Sequence, residues 1–245
     1  MTSKNNTSDK YLIILDINGL LCRKVIKPNL DSDDKIKSQY DDIKSQYETF
    51  ELHKYIVFIR PEARKFLRKC YKSYNVGFFS STTKYNADPI LKQILTKKQY
   101  KNAIFKWYRD KTKNDTETSE FATVKNLEDI FSSDEISGFG LHNTIICDDE
   151  MKKLRHNPEQ NCITFQSFEP LIIKKEDENN NNEKENSLDH LFEMIKAKLG
   201  NLEISIGINK IANNDQIIDD VNPCSSKIME SIQKSSDDLN DNTQL

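Results

Sequence analysis

The run Leu12-Ile13-Ile14-Leu15-Asp16-Ile17-Asn18-Gly19-Leu20-Leu21 decides how this chain is read. Four apolar residues, β-branched at Ile13 and Ile14, predict a strand buried on both faces, and Asn18-Gly19 turns the chain directly afterwards. Asp16 therefore stands at the carboxyl edge of a sheet. In open α/β sheets the loops at that edge diverge and leave the crevice in which ligands bind. An aspartate placed there suits covalent attack and suits a hard cation such as magnesium, which prefers oxygen ligands. The same residues also fit an ordinary boundary between strand and turn, where Asp and Asn are common.

Further strand ends repeat the pattern. Val76-Gly77-Phe78-Phe79 is a second buried run, and it ends in the hydroxyl cluster Ser80-Ser81-Thr82-Thr83. Hydroxyls and free amides at such an edge hold phosphate oxygens, or cap a helix. Thr144-Ile145-Ile146-Cys147 ends in Asp148-Asp149, two carboxylates that repel unless a cation lies between them. Tyr55 to Ile59, Ala103 to Tyr108 and residues 162 to 165 are further expected strands. Between them, Arg60-Pro61 and Asp88-Pro89 open helices, with apolar positions at Ala63, Phe66, Leu67 and Cys70 and at Ile90, Leu91, Ile94 and Leu95. A short helix follows Val124-Lys125-Asn126-Leu127. Alternation of this kind predicts an α/β fold.

Composition sets the outer limits. The chain has 245 residues, 31% of them charged, and a mean hydropathy of -0.73, enough apolar material for one core. The net charge of -3 argues against a dedicated nucleic-acid binder. No run is long enough to cross a bilayer, and the polar start carries no secretion signal, so an intracellular soluble protein, nuclear or cytoplasmic, is expected. Five cysteines without a zinc-type pair fit a reducing compartment. Residues 1–10 read as a polar tail and residues 11–200 as the domain. The domain carries a charged insertion at 29–49, with a duplicated Ile-Lys-Ser-Gln-Tyr segment, and a low-complexity loop at 174–187. Leu188 to Leu199 predicts a closing helix, Ile204, Ile206 and Ile208 alternate as in a strand, and residues 201–245 read as a largely disordered tail.

Taken in order, these residues resemble the haloacid dehalogenase superfamily, and within it the branch of RNA polymerase II C-terminal-domain phosphatases and their small homologues. The resemblance spans roughly residues 11 to 199. It rests on Leu15-Asp16-Ile17-Asn18-Gly19-Leu20-Leu21, Arg60-Pro61 with Phe66-Leu67, Phe79-Ser80-Ser81-Thr82 and Tyr85-Asn86-Ala87-Asp88-Pro89. Val124-Lys125-Asn126-Leu127, Cys147-Asp148-Asp149 and Asn157-Pro158 before Asn161 complete it. It implies a Rossmann-like three-layer sandwich with a mostly parallel central sheet, acting on phosphorylated protein or peptide through an aspartyl phosphate. By that resemblance Asp16 is the nucleophile, Ser80 and Lys125 hold phosphoryl oxygens, and Mg2+ binds Asp16, the Asn18 backbone carbonyl, Asp148 and Asp149. One departure stands out: the family's acid/base aspartate is replaced by Asn18, whose amide neither gives nor takes a proton in the useful range. Leu20 also replaces a usual hydroxyl residue. Weak catalysis is therefore expected, with a non-catalytic phosphatase-like binding or scaffolding domain as the alternative.

Overall fold

The computed structural model describes residues 11–27, 41–115, 122–134, 136–170 and 186–218, with side chains described as far as residue 204. Expectations for residues 1–10, most of the insertion, the run at 174–185 and the tail past residue 218 lie outside them. In chain order the elements are β1 (Leu12–Leu15), β2 (Cys22–Ile26), β3 (Thr49–Leu52), β4 (Tyr55–Ile59), α1 (Ala63–Ser73), β5 (Asn75–Phe79), α2 (Lys84–Ile94), α3 (Lys97–Asn102) and β6 (Lys106–Trp107). There follow β7 (Lys113–Asn114), β8 (Thr123–Val124), α4 (Leu127–Phe131), β9 (Thr144–Asp148), α5 (Met151–Leu154), β10 (Cys162–Thr164) and α6 (Leu188–Ile218).

β1 lies at the centre of a five-stranded sheet ordered β10-β9-β1-β5-β6, every pair parallel. Its four side chains are fully buried but face opposite ways. Ile13 and Leu15 join the cluster formed by α1, α2 and α6 through Phe66, Leu91 and Ile195. Leu12 and Ile14 join the other cluster, with Leu127 and Ile130 of α4. Cover on both faces is why the strand has no polar alternation, and each buried side chain is worth about 1.5–3 kcal/mol. On the α4 side β5 carries Gly77, because a Cβ there would lie 2.6 Å from the Phe105 ring. Phe105 and Phe79 flank Trp107, the chain's one tryptophan, with ring centroids 5.3 and 5.5 Å away.

Several local expectations are corrected. The strand expected over Ala103 to Tyr108 pairs only at Lys106–Trp107, and α2 begins at Lys84, a turn before Asp88-Pro89. Asp88 instead faces Tyr100 and Tyr108, whose hydroxyls donate to it at 2.5 and 2.8 Å. Tyr55–Ile59 is a strand, but it belongs to a separate antiparallel sheet ordered β2-β4-β3. Within the insertion, residues 41–45 form a helical turn, and Ile43 and Tyr47 pack on Ile56 and Phe58. Ile204 to Ile208 are helical, not extended, since α6 runs without a break from Leu188 to Ile218. The chain divides into two compact units after Leu202. No helix among the described residues is long and apolar enough to cross a membrane.

Candidate active site

Register brings the chemistry together. β1 and β9 pair with Leu15 opposite Cys147, so Asp16 and Asp148 emerge side by side, and the ladder extends through the Asp16 amide to the Cys147 carbonyl at 3.0 Å. On the other flank Leu15 lies opposite Phe78, which sets Ser80 one step past the end of the neighbouring strand. Ser80 is buried, its amide donates to the Trp107 carbonyl at 3.0 Å, and its hydroxyl accepts from the Thr82 amide at 3.3 Å.

Lys125 comes from outside the central sheet. It follows β8, and its amide donates to the Lys153 carbonyl while its own carbonyl accepts from the Asn157 side chain, at 2.8 and 2.7 Å. With the backbone fixed at both ends, the fully buried ammonium bridges Asp16 Oδ1 and Asp148 Oδ2, each at 2.5 Å. It also lies 5.7 Å from the centre of the Phe79 ring. Asp149 is held separately: the Ser167 hydroxyl donates to its Oδ2 at 2.8 Å. That carboxylate occupies the place where Gly19 has no side chain. A Cβ on Gly19 would lie 1.9 Å from Asp149 Oδ2, and the backbone there has φ +100°.

Burial pushes the Asp16 carboxyl up to about 6; Lys125 pulls the other way, and Asp148 adds to the rise. Burial also raises Asp149, against the pull of Lys153. For Asp148 burial works upward too, yet Lys125 and Lys153 outweigh it and hold the carboxyl below its usual range. Lys125 is the converse case: burial opposes its charge, and Asp148 and Asp16 keep it raised. The cluster is thus short of positive charge on the Asp16 and Asp149 side. Asp16 Oδ2 is buried and has no hydrogen-bond partner, and Asp16, Asp148 and Asp149 each offer an oxygen within 4.8 Å of the others. An all-oxygen donor set with an orphaned carboxylate oxygen fits a hard divalent cation.

Asn18 is turned to a different task. Its side-chain oxygen accepts from the Lys24 amide at 2.9 Å, bracing the start of β2. Lys153, Ser167 and Arg60 also stand at the site, with no role there read from the sequence. Lys153 follows Asp149 by four residues, a helical spacing that signals an ion pair. Ser167 lies in a loop and gives no such signal. Arg60 is buried and donates to the carbonyls of Leu20, Gln166 and Asn186, tying the Asp16 loop to the Ser167 loop.

A family model for NLI interacting factor-like phosphatase matches residues 11–203. The chain belongs to that family. The resemblance to the C-terminal-domain phosphatase branch, drawn above from Asp16, Lys125 and Asp148-Asp149, is borne out by the match, and so is the α/β fold by the parallel sheet. An uncharacterized FCP1 homology domain-containing protein of Schizosaccharomyces pombe is 27% identical over 162 residues, covering 62% of this chain and 59% of its own length. Two solved structures of the RNA polymerase II CTD phosphatase Fcp1 are similar to it. One is a fission yeast variant bound to beryllium fluoride, at 17% identity and TM-score 0.48, covering 86% of this chain and 56% of that one. The other is 20% identical with TM-score 0.49, covering 89% and 56%. The chain thus spans little more than half the length of these relatives.

Proposed function

We propose that this domain is a Mg2+-dependent phosphatase of phosphoserine or phosphothreonine in proteins, working through an aspartyl phosphate and slow at the steps that move a proton. The observation that carries the reading is the Asp16 carboxylate: Lys125 engages Oδ1, while Oδ2 stays buried without a partner among three converging acids. An oxygen so placed is set to meet an electrophile.

Asp16, Asp148, Asp149 and the Asn18 backbone carbonyl are the groups that would hold magnesium. Bound there, the ion would offset repulsion between the anionic nucleophile and the anionic phosphate. Asp16 attacks phosphorus; the new Asp16 oxygen-to-phosphorus bond forms as the bond to the leaving oxygen breaks. Lys125 has an ammonium proton left after its two carboxylate bonds, and with the Ser80 hydroxyl it steadies the oxygens over which charge spreads. The leaving oxygen departs with the electron pair and needs a proton. Asn18 has none to give, and its side-chain oxygen is engaged with Lys24. Water must later attack the phosphorus and free Asp16, again without a base at position 18. General acid-base help is worth roughly a hundredfold to ten-thousandfold, so turnover of alkyl phosphates suffers most.

The engaged amide of Asn18 also favours the second reading, a domain that captures phosphorylated segments and does not turn them over. An assay with Mg2+ separates the two, using an aryl phosphate and a phosphoserine peptide with Asp16→Asn as control. A burst of aryl alcohol followed by slow turnover, absent in Asp16→Asn, is expected. Absence of any burst in the unsubstituted protein leaves the binding reading.

A further inference from the structure

Lys153 has no part in the chemistry above, yet its ammonium is the second one in the cluster. It lies 2.8 Å from Glu150 Oε1, 3.4 Å from Asp149 Oδ1 and 3.5 Å from Asp148 Oδ1. Its position follows from the chain: α5 places it three and four residues beyond Glu150 and Asp149, and its carbonyl takes the Lys125 amide. Both lysines are thereby fixed to one another through the backbone, one inside the acid cluster and one beside it.

The side chain of Lys153 is mostly buried, and it lines a cavity of about 240 Å³ together with Ser81, Thr123 and Glu150 and two further cations, Arg109 and Lys152. One charge therefore faces two clients. Toward Asp148 and Asp149 it sits on carboxylates that a divalent ion would need. Toward the cavity it faces the space beside the Ser80-Ser81 edge, where an anion would enter. Its shortest contact is to Glu150, outside the acid triad, so it has a partner to keep when the triad's charge is taken up elsewhere.

We propose that Lys153 is a positioning residue that makes metal and phosphate binding interdependent: it weakens Mg2+ binding by competing for Asp148 and Asp149, and strengthens phosphate binding once Mg2+ is present. The inference rests on the reading of the triad as a magnesium site. Three carboxylates and two ammoniums carry one net negative charge, and a divalent ion turns that positive before a phosphate dianion arrives. Loss of Lys153 shifts both steps in opposite senses, whereas damage to folding would weaken both together.

Titration calorimetry on the full chain, first with Mg2+ and then with inorganic phosphate at saturating Mg2+, tests this. Lys153→Met is expected to bind Mg2+ on the order of tenfold more tightly and phosphate on the order of tenfold more weakly. Lys153→Arg should stay close to the unsubstituted protein. Lys72→Met removes the same charge from an exposed position in the last turn of α1, ahead of β5 and away from the carboxyl edge of the sheet, and should change neither affinity appreciably. If Lys153→Met and Lys153→Gln leave Mg2+ affinity unchanged, or lower both affinities, the coupling role is wrong while the magnesium site stands. If the unsubstituted chain binds no Mg2+, the site reading fails and this inference with it.

Discussion

At the scale of single residues, Asn18 and Gly19 stand next to each other and make opposite predictions. Replacing Asn18 by Asp puts a titratable group where the proposed mechanism lacks its acid and base, and steady-state turnover of a phosphoserine peptide should rise by up to about a hundredfold. Aryl phosphate, whose leaving group departs unprotonated, should gain less in its first step; stopped-flow release of the aryl alcohol checks this. Equal gains for both substrates would place the slow step elsewhere, with Leu20 a candidate. Gly19→Ala works against the site. Its Cβ would collide with Asp149 Oδ2 and its φ of +100° disfavours any side chain, so Asp149 must move. With a proposed ligand displaced, Mg2+ binding should weaken by about tenfold to a hundredfold, read by calorimetry. Asp16, Lys125 and the acidic pair could be found in the sequence because each ends a buried run or follows a short strand. Ser167, which steadies Asp149 from a loop with no periodic pattern, could not.

Among elements, the loop after β1 and the loop after β10 are joined by Arg60 at the end of β4. Its guanidinium donates to Leu20, Gln166 and Asn186 carbonyls at 2.9 to 3.1 Å and lies 4.9 Å from the centre of the Phe165 ring. A lysine cannot reach three carbonyls in that fork. Arg60→Lys should therefore cost about 2 kcal/mol of stability in urea melts and loosen the Ser167 contact to Asp149, weakening Mg2+ binding as well. The central strands were legible from their unbroken apolar runs. The antiparallel sheet was only one-third legible, through Tyr55–Ile59. β2 reads Cys-Arg-Lys-Val-Ile, with two adjacent half-buried charges and an exposed isoleucine at its end, so no alternation of apolar and polar residues marks it. The hairpin between β3 and β4 turns at His53, with φ 53°, instead of an Asn-Gly pair. α6 was misread past Leu199 because isoleucines at every second position match a strand's period, while the backbone there is helical.

Over the whole molecule, the described core closes at Leu202, where the first compact unit also ends. A chain ended after Leu202 should melt within a few degrees of the full chain and bind Mg2+ equally well, as scanning calorimetry and titration would show. A large fall in melting temperature would mean that residues beyond 202 contribute to the core. The position of Trp107 has a further use. It is the sole indole, it sits at the active-site end of β6, and its carbonyl holds the amide of Ser80. Lys111 lies 5.4 Å from its ring centre. Excited at wavelengths that the nine tyrosines do not absorb, the ultraviolet emission of this protein therefore has a single origin, next to the edge where phosphate is proposed to dock, and every change in its intensity or wavelength reports on one place. Ligand capture and loss of structure can be followed by light from the native chain, with no dye attached.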